Sequence, residues 1–234
     1  MENVCKTGRV LPAAAAVIAA AGRSARMGFD KLMAELGGIP VLMRTIEAFE
    51  RCEAVSEIVI VTREANLSLV RSMVREGGYR KVREVVRGGE TRQQSVYAGV
   101  MAVSPQASLL CIHDGARPLV SSRVITAAIQ AAAGCGAATA ALPVKDTIKR
   151  CRDGFSAGTV PREELMRIQT PQVFERSLYL RAYEAAREEY TVDCQLIEAI
   201  GAPVAFSRGD EWNIKLTTEE DLLLAEAMLQ GEAQ

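Results

Sequence analysis

The chain has 234 residues, of which 49% are hydrophobic and 24% are charged, as is typical of a folded globular protein. We expect one domain over residues 1–234, with an N-terminal extension at residues 1–11. The 28 lysines and arginines balance 29 aspartates and glutamates, so the net charge of −1 excludes the broad cationic surface that nucleic acids and anionic membranes select. Any anion-binding site must be local.

Strands and helices alternate along most of the chain. Continuous apolar runs predict strands at residues 17–21, 57–62, 82–86, 108–112 and 137–142. Helices are predicted at residues 41–50, 65–76 and 91–103, with Leu69 and Met73 facing inward, and between a cap at Ser122 and a terminal glycine at Gly134. This series predicts a mostly parallel, doubly wound α/β sheet whose ligands bind beyond the carboxyl ends of the strands.

The alternation breaks at residues 143–170, a polar stretch with glycines and a proline. It is longer than most connections within a compact domain, so we interpret it as a protruding arm or lid. A helix is then predicted at residues 177–189 and short strands at 203–206 and 213–216. A capping box at residues 217–220 begins a last helix, which ends at residue 228.

The N-terminal region and the cysteines indicate in which cellular compartment the protein is expected. The uncharged run at residues 10–22 is too short to span a bilayer and contains a proline. A signal peptide is the alternative, because Lys6 and Arg9 precede an apolar stretch, but cleavage near Ala21 would remove the first predicted strand. The six cysteines form no CxxC pair, and His113 is the single histidine, so a zinc cluster is not expected. Reduced thiols in a cytoplasm fit best.

A basic, glycine-containing loop follows the first predicted strand. It runs from Ala20 and Ala21 through Gly22 to Lys31, with Arg26 and a second arginine between them. Glycine allows the backbone to approach a ligand closely, and several cations in one loop suit a polyphosphate. The loop matches neither the GxGxxG nor the GxxxxGK[ST] pattern. The alternative is a solvated basic loop without a ligand.

A second glycine loop precedes the helix predicted at residues 91–103. The sequence from Gly88 to Val96 holds two glycines, a potential cap at Thr91, and the polar residues Arg92 and Ser95. The amino end of such a helix attracts an anion or the edge of a base. The alternative is a glycine turn with a capped helix.

The hexapeptide His113-Asp114-Gly115-Ala116-Arg117-Pro118 follows the fourth predicted strand. Asp114 stands where a Mg²⁺ that shields phosphate oxygens would be held, and Arg117 is a fork-shaped phosphate donor. The alternative is a structural Asp114–Arg117 pair. We interpret His113 as a hydrogen-bonded structural group rather than an acid or base.

Further polar residues are scattered along the second half of the chain. They include Lys145, Thr147, Arg162, Thr170 and Lys215. Each alone is typical of surface polarity. Together they offer the cations and hydroxyls that a small phosphorylated polyol needs.

Taken in order, these motifs resemble the 2-C-methyl-D-erythritol 4-phosphate cytidylyltransferases of the non-mevalonate isoprenoid pathway. The resemblance extends from about Val17 to Met228 and rests on six segments: AAGxxxRMG with the following lysine, GGxxRxxSV, HDGARP, VKDTIK, TPQ and NIK. It implies a Rossmann-like nucleotidyltransferase fold and a homodimer in which the arm exchanges contacts. Residues 191–195 read Thr-Val-Asp-Cys-Gln, where relatives often show Thr-Asp-Asp/Glu-Ala-Ser, and the loop before Lys31 is shorter.

The resemblance also implies a reaction and roles for individual residues. The phosphate of methylerythritol phosphate attacks the α-phosphorus of CTP, with Mg²⁺ as cofactor and without a covalent enzyme intermediate. Arg26 and Lys31 would stabilise charge at the α-phosphate, while Arg162 and Lys215 would position the acceptor phosphate. In such a dimer, Arg162 would serve the neighbouring subunit's site. The acceptor would be held by Arg117, Thr147 and Thr170, with Asp114 holding it or the metal. The cytosine and ribose would be read by Ala20, Ala21, Gly22, Gly88, Arg92 and Ser95.

Three other functions compete with this interpretation. A ribitol 5-phosphate cytidylyltransferase would use the same nucleotide, and Ala116 is the one residue that disfavours it. A catalytically silent nucleotide-binding protein would be expected to lack a key cation, whereas Arg26, Lys31, Arg162 and Lys215 are all present. A nicotinamide-dependent oxidoreductase would need the missing GxGxxG pattern.

Overall fold

The structure is a computed structural model that describes residues 14–22 and 30–232. The strands are β1 (Ala14–Ala20), β2 (Glu35–Leu36), β3 (Ile39–Pro40), β4 (Val55–Thr62), β5 (Val82–Arg87), β6 (Leu109–Asp114), β7 (Ala137–Pro143), β8 (Ile148–Arg152), β9 (Phe155–Val160), β10 (Met166–Glu175) and β11 (Ala205–Arg208). The helices are α1 (Val41–Arg51), α2 (Leu67–Glu76), α3 (Arg92–Ala102), α4 (Ser122–Cys135), α5 (Arg176–Ala185), α6 (Asp193–Ala199) and α7 (Glu219–Glu232).

The main sheet of the described residues has seven strands in the order β11-β7-β10-β6-β1-β4-β5. Every neighbouring pair is parallel except those that β10 makes with β6 and β7. The predicted mostly parallel α/β sheet is therefore confirmed. Helices α1, α2, α4 and α7 contribute to the core on one face, and α3, α5 and α6 to the core on the other, so the sheet is doubly wound.

Helix ends and faces differ in detail from the predictions. The cap of α4 is Ser121, whose side chain accepts a hydrogen bond from the Val124 amide, and not Ser122. The helix passes Gly134 and ends at Cys135, with Gly136 as its C-cap; the φ of 87° at Gly136 is the left-handed conformation that glycine adopts without strain. In α2 the predicted inward residue Leu69 is 50% exposed, and the adjacent Val70 is buried instead.

The stretch predicted as an arm holds the antiparallel β8–β9 hairpin and a single 3₁₀ turn at Arg162–Glu164. The stretch predicted as the arm, residues 143–170, overlaps the start of β10, which pairs with β7 from Met166 onward. The helix predicted at residues 177–189 ends at Ala185, and α6 follows it. The strand predicted at residues 213–216 is a loop, and the cap of α7 is Thr218, whose hydroxyl accepts the Asp221 amide proton.

None of the helices within the described ranges is long and apolar enough to cross a membrane.

Candidate active site

A cleft of about 660 Å³ lies at the carboxyl ends of β1, β4, β5 and β6, the edge of the sheet where the sequence predicts ligands. The residues that line it are Ala19, Ala20, Ala21, Gly22, Lys31, Leu32, Arg63, Glu64, Ala65, Arg87, Gly88, Gly89, Glu90, Thr91, Arg92, Ser95, Asp114, Ala116 and Lys215. The structure thus brings together the glycine loops, the strand-end aspartate and two of the predicted catalytic cations.

One wall of the cleft is bare backbone. A Cβ atom at Gly88 would lie 2.5 Å from the Cβ of Ala21 and 2.7 Å from the Oγ of Ser95, so the two loops approach each other only because residue 88 is glycine. The Ser95 hydroxyl donates to the Thr91 carbonyl at 2.7 Å, and Thr91 caps α3 by accepting the Gln94 amide proton. This wall can accept the flat face or edge of a base.

The opposite side of the cleft is charged and centred on Asp114. Its carboxylate lies 2.8 Å from the Lys215 ammonium, 3.4 Å from the Arg92 guanidinium and 3.8 Å from Nε of Arg117. Burial alone would raise the pKa of Asp114, but the positive charges of Arg92 and Lys215 hold it well below its usual range. Asp114 is therefore ionised at neutral pH.

A hydrogen-bond chain behind Asp114 fixes its backbone. The Asp114 amide donates to the Thr170 hydroxyl at 3.1 Å, and that hydroxyl lies 3.0 Å from Nδ1 of His113. The other ring nitrogen lies 3.2 Å from the Arg117 carbonyl, which assigns the proton to Nε2. Burial lowers the pKa of His113 to about 3. Neutral and fully buried, His113 is the structural group that the sequence favours.

Arg117 and Thr170 therefore lie beside Asp114 and not on the cleft wall. Arg117 is also largely buried, and its guanidinium donates to the Asn213 carbonyl at 2.6 Å. That bond ties the loop after β6 to the segment that carries Lys215. The Asn213 side chain, in turn, donates to the Thr170 carbonyl at 2.7 Å.

Arg92 is held from two sides. Its guanidinium lies 2.7 Å from the carboxylate of Asp193 and 3.4 Å from that of Asp114. Burial raises the pKa of Asp193, and the positive charge of Arg92 opposes that shift. Asp193 is the first residue of α6, and Tyr179 donates a hydrogen bond to it from α5.

Lys31 enters the cleft from the end of the first loop. Its ammonium donates to the Leu216 carbonyl at 2.8 Å, next to Lys215 in sequence. The Lys31 ammonium therefore lies against the segment that carries Lys215, and both predicted catalytic cations line the cleft. The third, Arg26, lies outside the described residues.

Arg162 and Thr147 are placed elsewhere. Both are exposed residues of the arm and neither lines the cleft, and Arg162 contacts the Lys145 carbonyl and the Glu163 carboxylate. Among the described residues, no group of three or more His, Cys, Asp or Glu side chains could hold a metal ion. Asp114 is thus the carboxylate that lies among the cations, and Glu64 and Glu90 also line the cleft.

The sequence motifs include neither Arg63, which lines the cleft, nor Asp193, which pairs with Arg92 behind it. Asp193 lies in the divergent segment at residues 191–195, and no local pattern predicts that it reaches Arg92. Arg63 directly follows β4, so the rule that ligands bind at strand ends could have singled it out.

A doubly wound sheet whose strand ends hold a glycine-walled, cation-rich cleft is typical of a nucleotidyltransferase. The sequence profile of the 2-C-methyl-D-erythritol 4-phosphate cytidylyltransferase family matches residues 14–231, and the chain belongs to that family.

Individual relatives agree with the family match. The protein of that name from Pelotomaculum thermopropionicum is 45% identical over 224 residues, covering 93% of this chain and 94% of the relative. The one from Bacillus licheniformis is 42% identical over 221 residues, with coverages of 92% and 95%.

Solved structures carry the same fold. The 4-diphosphocytidyl-2C-methyl-D-erythritol synthase from Anaerococcus prevotii matches with a TM-score of 0.83 and 33% identity, covering 93% of this chain and 98% of the other. The cytidylyltransferase from Thermus thermophilus matches with a TM-score of 0.76 and 32% identity, with coverages of 93% and 99%. These matches do not favour a ribitol phosphate cytidylyltransferase.

Proposed function

We propose that this protein transfers the cytidylyl group of CTP to 2-C-methyl-D-erythritol 4-phosphate. An acceptor phosphate oxygen bonds to the α-phosphorus of CTP as the bond to the pyrophosphate oxygen breaks, giving the CDP-alcohol and pyrophosphate. The observation that carries this proposal is the set of cations around Asp114, with Lys31 beside Lys215, at one end of a cleft whose other wall is bare backbone. Two polyanions can meet only where such charges offset their repulsion.

The bare wall receives the nucleoside. The backbone of Ala20, Ala21 and Gly22 lies against that of Gly88 on one wall of the cleft, and Ser95 packs next to Gly88. The backbone amides and carbonyls exposed on this wall can hydrogen-bond to the edge of cytosine and to the ribose. Arg92 lies at the end of the wall that meets the charged side of the cleft.

The cations act on the reacting phosphates. Lys31 stabilises the charge that grows at the α-phosphate, and Arg26 is assigned the same role from its position in the motif. Lys215, half-exposed and 2.8 Å from Asp114, is available to orient the acceptor phosphate. Because these contacts strengthen as charge develops, they act on the rate more than on binding.

Asp114 and the residues behind it hold the acceptor end. Arg117 and Thr170 fix the backbone and the carboxylate of Asp114, and with Thr147 they complete the acceptor site that the motifs imply. Direct contact of these three residues with the acceptor stays a prediction.

Magnesium fits as an ion carried by the nucleotide. Asp114 is one carboxylate already engaged by cations, so the phosphates and water must supply most ligands, as is usual for Mg²⁺. When bound, the ion would withdraw charge from the phosphate oxygens. We place the reaction in the cytoplasm, where thiols stay reduced.

A homodimer accounts for the arm. Nearly every residue of β8 and β9 is exposed, and Phe155 at the hairpin is 78% exposed. A second copy would cover these residues and bring Arg162 and Thr147 to a cleft. Arg162 would then serve the partner's acceptor phosphate.

The test is pyrophosphate release in the presence of Mg²⁺. CTP is supplied with methylerythritol phosphate or, separately, with ribitol 5-phosphate, and ATP replaces CTP in a control. Release only with CTP and methylerythritol phosphate is expected. Release with ribitol 5-phosphate alone would move the assignment to the other polyol, and no release with either acceptor would overturn it.

A further inference from the structure

Asp30, the residue before Lys31, is bound to the end of β4. Its carboxylate accepts hydrogen bonds from Arg63 and, at 2.6 Å, from the side chain of Asn66. The other carboxylate oxygen lies 3.3 Å from the Leu32 amide on the far side of Lys31. Both chain neighbours of Lys31 are therefore fixed by one side chain.

This anchor adds to the backbone hydrogen bonds that the Asp30 and Leu32 carbonyls accept from Met33 and Leu42. Lysine is a point charge on a flexible four-carbon stem, so its location depends on where its backbone is held. The Lys31 ammonium also donates to the Leu216 carbonyl on the segment of Lys215. The backbone anchor and this bond together span the cleft from the end of β4 to the Lys215 segment.

We infer that Arg63 and Asn66 are positioning residues, which hold Lys31 at the α-phosphate through Asp30. The inference rests on the proposed function, because it takes over the role of Lys31. Arg63 and Asp30 are partly buried, with 32% and 21% of their side chains exposed, so their pairing is screened less than that of a surface pair.

The experiment measures single-turnover rate and KM for CTP in Lys31→Ala, Arg63→Ala and the double variant. Arg63→Ala is expected to lower the rate about 10- to 100-fold with little change in KM, since a small misplacement of a transition-state cation acts on the rate. In the Lys31→Ala background the same change should have almost no further effect. Arg63→Lys, which keeps the charge, should recover part of the rate, and Asn66→Ala should give a smaller loss.

Arg51→Ala is the matched control, because Arg51 also pairs with a carboxylate, that of Glu47, on α1 outside the cleft. It should leave rate and KM unchanged. Thermal unfolding midpoints separate misfolding from misplacement, and Asn66→Ala removes only one hydrogen bond should Arg63→Ala not fold.

The outcomes separate the two claims. If Lys31→Ala turns over at the normal rate, the proposed role of Lys31 fails and the inference with it. If Lys31→Ala is slow but Arg63→Ala is normal, or lowers the rate equally in both backgrounds, the role of Lys31 stands and the inference is overturned. Equal loss in both backgrounds would mean that Arg63 acts on the nucleotide directly.

Discussion

Asp114 shows how the cleft stays attractive to anions although it contains a carboxylate. Arg92, Arg117 and Lys215 all lie within 4 Å of it, and Lys31 stands beside Lys215. Among the described residues, these four cations outnumber the two carboxylates that pair with them, those of Asp114 and Asp193. The buried aspartate therefore orders the positive charges without cancelling them, and a phosphate group finds donors already in place.

Gly88→Ala tests the close approach of the two loops. The added methyl group would lie 2.5 Å from the Cβ of Ala21, so one loop must shift. We expect KM for CTP to rise about tenfold or more, and the free energy of unfolding to fall by about 1–3 kcal/mol, as for overpacking elsewhere. Steady-state kinetics and urea denaturation measure both. An unchanged KM would mean that the nucleoside does not use this wall.

His113→Gln tests the buried neutral ring. The pKa of His113 is about 3 in the folded chain and about 6.5 when unfolded, so the unfolded state binds more protons between these values. The contribution to stability is complete above pH 6.5 and is lost as the pH falls towards 3. As the pH falls from about 6 to about 4.5, protonation of His113 in the unfolded state should lower the free energy of unfolding by about 1.4 kcal/mol per pH unit.

The variant should show a correspondingly shallower pH dependence of its unfolding free energy, measured by urea denaturation at several pH values. This window lies above the range in which Asp114 takes up a proton, since its pKa is lowered. Equal slopes in the two proteins would contradict a neutral buried His113.

For single residues, the sequence predicts those that belong to short motifs at the ends of strands. Asp114, Gly88 and Lys31 follow strand ends within recognisable motifs, and all three line the cleft. Asp193 could not be predicted in the same way, because its contact with Arg92 depends on how the fold brings the start of α6 to the start of α3. Such contacts exist only in the folded chain.

Among the elements, α3, α5 and α6 meet at one buried carboxylate. Asp193 at the start of α6 pairs with Arg92 at the start of α3 and accepts a hydrogen bond from Tyr179 of α5. The contact joins the core on this face of the sheet to the charged side of the cleft.

Asp193→Asn should be destabilising although it preserves shape. Arg92 would lose its closer counter-charge, and breaking one side of a buried pair costs about 3 kcal/mol or more. Tyr179→Phe, which removes only a hydrogen bond, should cost about 1 kcal/mol. Urea denaturation compares the two. A smaller loss for Asp193→Asn than for Tyr179→Phe would show that the ion pair contributes little.

The elements that sequence predicts best have a clear hydrophobic pattern. Strand β10 lacks a hydrophobic pattern in its middle, because Gln169, Thr170 and Gln172 are buried polar residues. They hydrogen-bond to loops and to α6. The succession Gln169-Thr170-Pro171-Gln172 in a buried strand resembles a loop in sequence. For this reason the sequence pattern extends the predicted arm beyond the start of β10.

For the whole molecule, the arm raises the question of how the acceptor site is completed. Nearly all residues of the β8–β9 hairpin are exposed to solvent, and an isolated two-stranded hairpin is marginally stable in water. Its charged base is held by Lys145 and Arg167, which both pair with Glu211. Arg162 does not line the cleft of its own chain, which agrees with the proposal that it serves a second copy.

Mixing two inactive variants tests this arrangement. Arg162→Ala and Lys215→Ala each remove one of the cations assigned to the acceptor phosphate. If Arg162 serves the partner's cleft, a mixed dimer carries both lesions in one site and none in the other. After subunit exchange of equal amounts, about half of the dimers are mixed, so about a quarter of the normal activity should return. If Arg162 served its own cleft, every site would carry one lesion and the mixture would stay as inactive as its parts.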